Sequence, residues 1–313
     1  MPDPTASALG YAAMKLDNKV AVVTGSGRGI GRAYARALAE AGCALVINDV
    51  DADVAAETTA AITSSGGRAV AEVCPVGPSD AAEQLVGRAV AEYGRLDIMC
   101  TNAGILRDRV LWNMSDEDFD SVIETHLRGT FTCARAAVRR MREQDEGGRV
   151  VVVSSIAGQR GNFGQTNYAA AKAGIAAFAR TWALECAKHH ITVNAIVPNA
   201  ITRMISTIPG MAPLVEAAER GDPLPDMVRK QMGMGTAEDV APLLVFLCSD
   251  AASEITGQCI GLGGDKLSLW AHPKEVSVAF RDSGWTADAI AAVFASSVGA
   301  QLETYGIPFL GSK

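Results

Sequence analysis

The sequence has 313 residues, of which 49% are hydrophobic and 20% are charged, and its 35 acidic and 28 basic residues give a net charge of −7. A chain of this length and composition is not globally disordered and can bury a sizeable core without disulfides. Its acidic balance argues against nucleic acid and against an anionic membrane surface as partners.

The N-terminal segment lacks the features of a targeting signal. Residues 1–17 contain no basic start followed by an apolar stretch, so we interpret them as a disordered N-terminal arm rather than a secretion signal. No apolar run reaches the roughly 18 residues that a membrane-spanning helix needs, and no membrane partner is expected.

Seven cysteines are scattered along the sequence without a Cys-x-x-Cys pair. This arrangement favours buried free thiols over a disulfide framework or a zinc site, and therefore a reducing, cytoplasmic location. The four histidines have no His-x-x-x-His spacing either, so no metal is expected.

Strand-like and helix-like segments alternate along most of the chain. Short apolar or β-branched segments predict strands at Val20–Thr24, Ala44–Asn48, Ala69–Cys74, Leu96–Thr101, Val150–Ser154, Thr192–Val197 and Gln258–Leu262. Helical periodicity predicts helices at Gly31–Ala41, Ala52–Ser64, Asp80–Tyr93, Ser115–Arg142 and Thr166–His189. Strands without polar alternation are typical of a parallel sheet that is covered on both faces. The order therefore predicts an α/β fold with one doubly wound parallel sheet.

Two regions interrupt this alternation. Residues 203–235 are rich in Met, Pro and Gly, and residues 265–313 follow the last predicted strand without an obvious partner in the sheet. We therefore expect one domain at 18–264 and a C-terminal extension at 265–313 that packs on the core or on a neighbouring subunit.

The first predicted strand runs into a glycine-rich turn, Thr24–Gly31, and then into a helix. Glycines in such a turn let the backbone approach a pyrophosphate, whose charge the helix N-terminus stabilises. Asp49 ends the second strand about 20 residues further on, where a carboxylate can accept hydrogen bonds from a ribose 2′-hydroxyl. The alternatives are an ordinary strand–helix loop and, for Asp49, a charge at the start of the next helix.

Tyr168 and Lys172 are four residues apart in a helical segment, so they project from one face. Ser155 ends the preceding strand, and the carboxyl ends of parallel strands form the ligand crevice of such sheets. A phenol is a poor base at neutral pH, but a neighbouring ammonium lowers its pKa, and a serine hydroxyl can hold a substrate oxygen. The three residues are therefore candidates for acid–base catalysis. The alternative is a surface pair with an unrelated serine.

The order and spacing of these motifs over residues 19–264 resemble those of short-chain dehydrogenases/reductases. The resemblance rests on Thr24–Gly31, Asn102-Ala103-Gly104, Ser155, Tyr168-x-x-x-Lys172 and Pro198. It implies a Rossmann-type sheet of seven strands in the order 3-2-1-4-5-6-7. It also implies hydride transfer between a nicotinamide cofactor and a carbonyl or secondary alcohol. Tyr168 would be the acid and base, Ser155 would orient the substrate oxygen, and Lys172 would lower the pKa of Tyr168 and hold the ribose.

The same resemblance implies a set of cofactor-binding residues. They are Gly25, Arg28, Gly29, Ile30, Gly31, Asp49, Val76, Asn102, Ala103, Gly104, Tyr168, Lys172, Ile201 and Thr202. The carboxylate of Asp49 favours NAD because it would repel the additional phosphate of NADP, whereas Arg28 favours NADP. We expect the carboxylate to dominate, so NAD is the predicted cofactor.

Three positions depart from the usual family pattern. Thr101 stands in place of an asparagine, Pro75 in place of an aspartate that meets the adenine, and Asn199 in place of a glycine. The adenine contact is therefore expected from the backbone of Val76 alone.

The largest departure is His126, which occupies the position of the family's fourth catalytic residue, an asparagine that anchors a proton-relay water. The same substitution occurs in the dehydrogenase domain of multifunctional β-oxidation enzymes, which act on (3R)-hydroxyacyl-CoA thioesters and some hydroxysteroids. The chain resembles that branch, and we expect His126 to support the relay and to titrate near pH 6–7. The alternative is that the histidine merely fills the asparagine's site.

Apolar residues concentrate in the two irregular regions. Residues 203–235 would form the family's lid over the substrate, and flexible side chains there suit a bulky apolar ligand. The alternative is ordinary core packing for Met204, Ile205, Ile208, Met211, Met227, Met232 and Met234. The extension carries Trp270, Phe280, Trp285 and Phe294, and we expect these to pack on a sister subunit of a homodimer or homotetramer.

The sequence thus predicts an NAD-dependent dehydrogenase of a small molecule, a bulky apolar secondary alcohol of hydroxyacyl-CoA or steroid type. The second hypothesis is an NADPH-dependent 3-oxoacyl-carrier-protein reductase. The third is a non-catalytic NAD-binding scaffold, against which the complete Ser–Tyr–Lys set argues.

Overall fold

The computed structural model describes residues 14–202 and 211–307. The strands are β1 Val20–Val23, β2 Ala44–Asp49, β3 Arg68–Val73, β4 Ile98–Thr101, β5 Gly148–Val153, β6 Ile191–Pro198, β7 Cys259–Gly263 and β8 Lys266–Trp270. They form one sheet in the order β3-β2-β1-β4-β5-β6-β7-β8. Strands β1 to β7 are parallel, and β8 pairs antiparallel with β7.

Helices connect most of the parallel strands. In the described residues the α-helices are α1 Gly29–Glu40, α2 Ala52–Ser64, α3 Ser79–Tyr93, α4 Asp116–Val122, α5 Gly129–Gln144, α6 Ile156–Arg160, α7 Thr166–Cys186, α8 Ala212–Arg220, α9 Ala237–Cys248 and α10 Ala287–Val293.

Alternate residues of the central strands face opposite sides of the sheet. In β1, Val20 and Val22 pack in the apolar cluster that includes residues of α3, α5 and α7. Ala21 and Val23 pack in a second cluster, with residues of α1 and α9. Both faces are therefore apolar, which is why the strand sequences show no polar alternation. The predicted α/β fold with one doubly wound sheet is confirmed.

The strand count differs from the expected seven, because residues that follow the last predicted strand do have a partner in the sheet. Gly264 adopts a φ of +52° between β7 and β8, a conformation that glycine adopts readily and that allows the chain to reverse. Lys266 then pairs with Gly263, and Trp270 pairs with Cys259. The extension thus begins as an edge strand of the core.

The predicted helix Ser115–Arg142 is not continuous. A π-helical segment, Ile123–Arg128, separates α4 from α5. Ser115 caps α4, since its Oγ accepts a hydrogen bond from the N–H of Asp118 at 3.1 Å. Single π-helical turns inside α-helices are frequent at functional sites, and this one carries His126.

The end of the predicted N-terminal arm packs on the core. Leu16 is buried, and its N–H donates to the carbonyl oxygen of Ala41 at 2.8 Å, so the ordered core begins before residue 18. Residues 1–13 of the predicted arm, Met204, Ile205 and Ile208 of the predicted lid, and residues 308–313 lie outside the described residues.

All seven cysteines are buried and none forms a disulfide, which confirms the prediction of buried free thiols. In residues 14–202 and 211–307, no helix has the length and apolar character needed to cross a membrane. Over the same ranges, no three His, Cys, Asp or Glu side chains form a group that could hold a metal ion.

Candidate active site

The glycine-rich turn leaves the N-terminus of α1 open to a ligand. Arg28 is the N-cap residue, but its side chain makes no capping hydrogen bond, and the first turn contains no acidic residue. Gly25 and Gly29 adopt positive φ values of 61° and 55°, which other residues rarely tolerate. The backbone N–H groups and the helix dipole therefore offer a site for an anion such as a pyrophosphate.

Close packing fixes the shape of this turn. A Cβ on Gly31 would lie 2.0 Å from the carbonyl oxygen of Gly25, so the approach of α1 requires glycine. Asn102 Nδ2 donates to the carbonyl oxygens of Thr24 and Gly25, at 3.1 Å each. Thr24 Oγ1 accepts from the N–H groups of Asn102 and Ala103, at 3.0 and 3.1 Å. The residues after β4 thus support the glycine-rich turn.

Asp49 ends β2 and faces the same turn. Its Oδ2 accepts a hydrogen bond from the N–H of Gly27 at 3.1 Å, and its Oδ1 accepts one from the N–H of Asp51 at 3.2 Å. The ion pair that Arg28 forms is with Asp51. Asp49 is therefore held beside the glycine-rich turn.

One cleft of about 1340 Å³ joins these elements. Every predicted cofactor-binding residue apart from Tyr168 and Lys172 contributes to its lining, and so do Arg32, Arg36 and Thr236, which the sequence analysis did not name. An open helix N-terminus, a glycine cradle and a carboxylate at the end of β2 fit a dinucleotide, so these residues could hold a nicotinamide cofactor.

Helix α7 is tied to the end of β5 by two hydrogen bonds. Lys172 Nζ donates to the carbonyl oxygen of Val153 at 2.6 Å, and Ser154 Oγ donates to the carbonyl oxygen of Lys172 at 2.8 Å. Lys172 Nζ also lies 5.6 Å from the centre of the Tyr168 ring. Ser155 follows Ser154 directly, and its hydroxyl lies close enough to the Tyr168 phenol to lower the pKa of that phenol. The structure therefore brings Ser155, Tyr168 and Lys172 together.

Burial dominates the acid–base properties of this group. It raises the pKa of the Tyr168 phenol, while the neighbouring Ser155 hydroxyl lowers it and the charge of Asp108 raises it further. Burial also lowers the pKa of Lys172 from 10.5 to about 7. The expected net lowering of the Tyr168 pKa beside Lys172 is not seen in this structure, because burial raises that pKa.

His126 is 2% exposed, and its ring meets that of Tyr168 edge-on, with 5.2 Å between the centres. Its Nε2 lies 3.0 Å from the nitrogen and 2.7 Å from the oxygen of the Ile105 backbone. It accepts from the N–H in one tautomer and donates to the carbonyl in the other. A Cβ on Gly104 would lie 2.2 Å from His126 Cε1, so this glycine makes room for the imidazole.

The expectation that His126 titrates near pH 6–7 is wrong. Burial, and then the charge of Lys172, lowers its pKa from 6.5 to about 3, although the hydrogen bond with the Ile105 backbone opposes this. The imidazole is therefore neutral at physiological pH. Its Nδ1 is buried and has no hydrogen-bond partner in the described part of the chain.

Two residues at the site were missed by the sequence analysis. Gln165 precedes α7, is 8% exposed and donates from Nε2 to Asp108 Oδ2 at 2.9 Å. Asp108 Oδ1 is buried and lacks a partner within residues 14–202 and 211–307. Asp108 lies in the loop after β4, and the loops at the carboxyl ends of strands line the crevice in such folds. The position of Asp108 in this loop was the signal that could have indicated its place at the site.

The described part of the predicted lid packs largely on itself. Met232 and Met234 pack against a small apolar cluster that contains Ile201 and residues of α8 and the loop after it. For these two methionines, core packing is therefore the interpretation that the structure supports. Met211 is buried, whereas Met227 is half exposed.

Similar proteins cover most of the chain. The hydroxyacyl-CoA dehydrogenase ChsB1 of Mycobacterium tuberculosis is 42% identical over 270 residues, which are 82% of this chain and 81% of that protein. The peroxisomal multifunctional enzyme type 2 of Mus musculus is 38% identical over 287 residues, 88% of this chain but 36% of that protein. A 3-oxoacyl-[acyl-carrier-protein] reductase of Synechocystis is 37% identical over 254 residues, 80% of this chain and 97% of that protein.

The family model described as "Enoyl-(Acyl carrier protein) reductase" matches residues 25–264. The crystal structure of a short chain dehydrogenase from Mycobacterium avium matches with a TM-score of 0.80 and 33% identity, over 95% of this chain and 99% of that one. The chain belongs to the short-chain dehydrogenase/reductase family. This short-chain dehydrogenase/reductase is therefore an oxidoreductase that acts on CH–OH groups with a nicotinamide cofactor. Its similarity to a hydroxyacyl-CoA dehydrogenase confirms the predicted resemblance to that branch.

Replacing Lys172 with Met should remove activity but stabilise the fold near neutral pH. Because the pKa of Lys172 falls from 10.5 to about 7 on folding, the unfolded chain binds this proton more tightly over that interval, and wild-type stability rises with pH across it. The gain in free energy of unfolding of Lys172→Met over wild type should therefore be largest at pH 7 and shrink toward pH 10. Urea denaturation of the cofactor-free protein at several pH values measures it. A difference that does not change with pH would contradict a depressed lysine pKa.

Replacing Asp108 with Asn should move the pH profile to lower pH. The variant keeps an oxygen acceptor for Gln165 but removes the charge that raises the pKa of Tyr168. The pH at which kcat/KM for alcohol oxidation rises should be lower in the variant by roughly half a pH unit or more. Asp116→Asn, at an exposed carboxylate in the first turn of α4, is the matched control. An Asp108→Asn profile that coincides with the control would show that the charge has no effect on Tyr168.

Proposed function

We propose that this oxidoreductase interconverts a bulky apolar secondary alcohol and its ketone with NAD, and that the substrate is of hydroxyacyl-CoA or hydroxysteroid type. The observation that carries the proposal is the fit of the His126 ring against Gly104 and beside Tyr168. This histidine is the feature by which the sequence resembles the hydroxyacyl-CoA branch. The identity of 42% to a protein named as a hydroxyacyl-CoA dehydrogenase supports the same substrate class.

Tyr168 supplies the acid and base in this proposal. As phenolate it takes the hydroxyl proton of the alcohol, and as phenol it donates a proton to the oxygen of the ketone. When bound, the nicotinamide ring accepts or donates the hydride. The raised pKa of Tyr168 keeps the phenol protonated at neutral pH, which suits reduction, whereas oxidation should accelerate as the pH rises.

The other three residues hold the reacting groups. The Ser155 hydroxyl lies close enough to Tyr168 to influence its pKa, so it can orient the substrate oxygen toward the phenol. Lys172 uses one N–H on the Val153 carbonyl and has two further donors for a ribose hydroxyl. His126 stays neutral and acts in the proton relay as a hydrogen-bonding group.

The preference for NAD rests on the charges at the end of β2. The carboxylate of Asp49 would accept hydrogen bonds from ribose hydroxyls and repel a 2′-phosphate. Arg28, which could attract that phosphate, is paired with Asp51. Arg32 and Arg36 also line the cleft, and they are the strongest argument for NADP.

Arg32 and Arg36 support a second candidate function, that of an NADPH-dependent 3-oxoacyl-carrier-protein reductase. The relative of that name in Synechocystis is 37% identical and matches over nearly its whole length. A non-catalytic NAD-binding scaffold is disfavoured by the assembled Ser155, Tyr168 and Lys172.

We also propose that the enzyme is a cytoplasmic homodimer or homotetramer. Seven buried free thiols suit a reducing compartment. Exposed apolar side chains on the extension, such as Phe280, Trp285 and Phe294, suit burial against a second copy. A mass in solution equal to that of one chain would contradict the oligomer.

Tyr168→Phe should reduce turnover by at least about 10²–10⁴-fold while cofactor binding stays intact, because only the hydroxyl is lost. NADH formation with a panel of (3R)-hydroxyacyl-CoA and hydroxysteroid substrates measures turnover, and calorimetry measures binding. Tyr93→Phe, at a half-buried tyrosine of α3, is the control. Near-normal turnover by Tyr168→Phe would refute the mechanism. Wild-type enzyme that binds NAD but turns over no member of the panel would favour the scaffold.

The wild-type enzyme should prefer NAD over NADP at least about tenfold in kcat/KM. The reason is that repulsion between the Asp49 carboxylate and the 2′-phosphate of NADP has a tenfold effect for each pKa unit of free energy. Asp49→Ala should erode this preference, whereas Asp53→Ala, at an exposed aspartate of the first turn of α2, should not. Steady-state kinetics with both cofactors give the ratio. An equal or better constant for NADP would show that the arginines outweigh Asp49 and would favour the reductase.

A further inference from the structure

The C-terminal segment that follows β8, residues 271–307, returns to the active site. It leaves the sheet at Trp270, and most of its middle part is exposed, with Phe280 at 92%. Near its described end it contacts Arg160, five residues after Ser155. The family model stops at residue 264, so the C-terminal side of this contact lies outside the part of the chain that the family model matches.

Four hydrogen bonds make up this contact. Arg160 Nε donates to the carbonyl oxygen of Gly306 at 2.7 Å, and Arg160 Nη2 donates to the carbonyl oxygen and Oγ1 of Thr304, at 3.3 and 3.1 Å. The N–H of Gly306 donates to the carbonyl oxygen of Arg160 at 2.8 Å. Hydrogen bonds from a charged guanidinium are among the stronger ones in proteins.

Arg160 and Ser155 lie at the two ends of one short helix. Arg160 is the last residue of α6, and Ser155 is the N-cap of that helix, with its Oγ accepting from the N–H of Ala157 at 3.2 Å. A helix of five residues is too short to be stable by itself, so its position depends on what it packs against. Displacing Arg160 therefore displaces Ser155.

Helix α6 is held from the opposite side by the catalytic helix α7. A Cβ on Gly158 would lie 2.6 Å from the carbonyl carbon of Lys172, so the two helices are in close contact there. The short helix thus lies between Lys172 on one side and the contact with Thr304 and Gly306 on the other. The short helix is part of residues 156–165, the segment that leads from Ser155 toward Tyr168. We call this segment the Ser–Tyr loop.

We propose that the C-terminal segment is a working part of the active site, in which Thr304 and Gly306 clamp Arg160 and thereby position Ser155 and the Ser–Tyr loop for the substrate. Arg160 is a positioning residue in this arrangement. The clamp acts on the substrate side of the site, because the cofactor turn and Asp49 lie on other elements, at the ends of β1 and β2. The inference rests on the proposed catalytic role of Ser155.

The test compares the full chain with Arg160→Met, with a truncation after Leu302 that keeps β8, and with the two changes combined. Each single change should lower kcat/KM for the alcohol roughly ten- to a hundredfold, because small misplacements of reacting groups have effects of this size. The KM for the cofactor should not change. The combined variant should be no worse than either change alone, since both break the same contact.

Two control variants separate the clamp from general damage. Truncation after Ile307 removes only residues 308–313, and Arg281→Met removes an exposed arginine of the same segment. Both should behave as the full chain does. Arg160→Lys keeps the positive charge but loses the planar set of guanidinium donors, so it should recover part of the lost activity. Additive losses in the combined variant, or an equal rise of the cofactor KM, would overturn the proposal.

Hydrogen–deuterium exchange tests the clamp without any substrate. The N–H groups of Gly158 and Gly161 donate to the carbonyl oxygens of Ser155 and Ala157 at 3.0 and 2.8 Å. Truncation after Leu302 should speed their exchange and leave that of α1 unchanged. Unchanged exchange in α6 would reject the clamp. Faster exchange in an enzyme that turns over no substrate in the panel would uphold the clamp and place the failure in the proposed reaction.

Discussion

The attachment of α7 to the end of β5 is the constraint on which the active site depends. Lys172 is buried, so its ammonium needs a partner, and it finds one in the carbonyl oxygen of Val153 at 2.6 Å. Ser154 returns a hydrogen bond to the carbonyl oxygen of Lys172 at 2.8 Å. This reciprocal pair fixes the helix against the strand, so that Tyr168, one turn earlier, meets Ser155, the second residue after the strand. Burial of the lysine destabilises the fold at neutral pH, and the geometry of the catalytic group is what the enzyme gains from it.

Around this attachment, small residues decide how closely the other elements approach. Gly104 leaves room for the His126 ring, Gly158 lets α6 contact α7, and Gly31 lets α1 close over the phosphate-binding turn. Close packing also excludes water, which is why the imidazole of His126 loses its proton even though an exposed histidine would titrate near neutral pH. The same environment keeps the Tyr168 phenol protonated. The chemistry of the site is therefore set by burial as much as by the identity of its residues.

Much of this protein is determined by its sequence alone, because the signals are local. The buried parallel strands, the turn Thr24–Gly31 and the helical pair Tyr168 and Lys172 depend on neighbouring residues, on glycine content and on a spacing of four. In a parallel sheet the strands end at one edge, so the proximity of the turn and the catalytic helix at that edge follows from topology. The doubly wound fold and the oxidoreductase family were predictable for this reason. The free thiols were predictable too, since seven scattered cysteines leave no regular pairing.

Only the tertiary structure decided the features that depend on residues far apart in the chain. The pairing of β8 with β7 requires an edge that the sequence does not display, and the π-helical segment at His126 interrupts a pattern that is helical throughout. The depressed pKa of His126 and the proximity of Asp108 to Tyr168 both arise from burial and from contacts across separate loops. The contact of Gly306 with Arg160 joins positions almost half the chain apart. Local periodicity cannot report such contacts, because their free energy comes from packing and desolvation that exist only after the chain has folded.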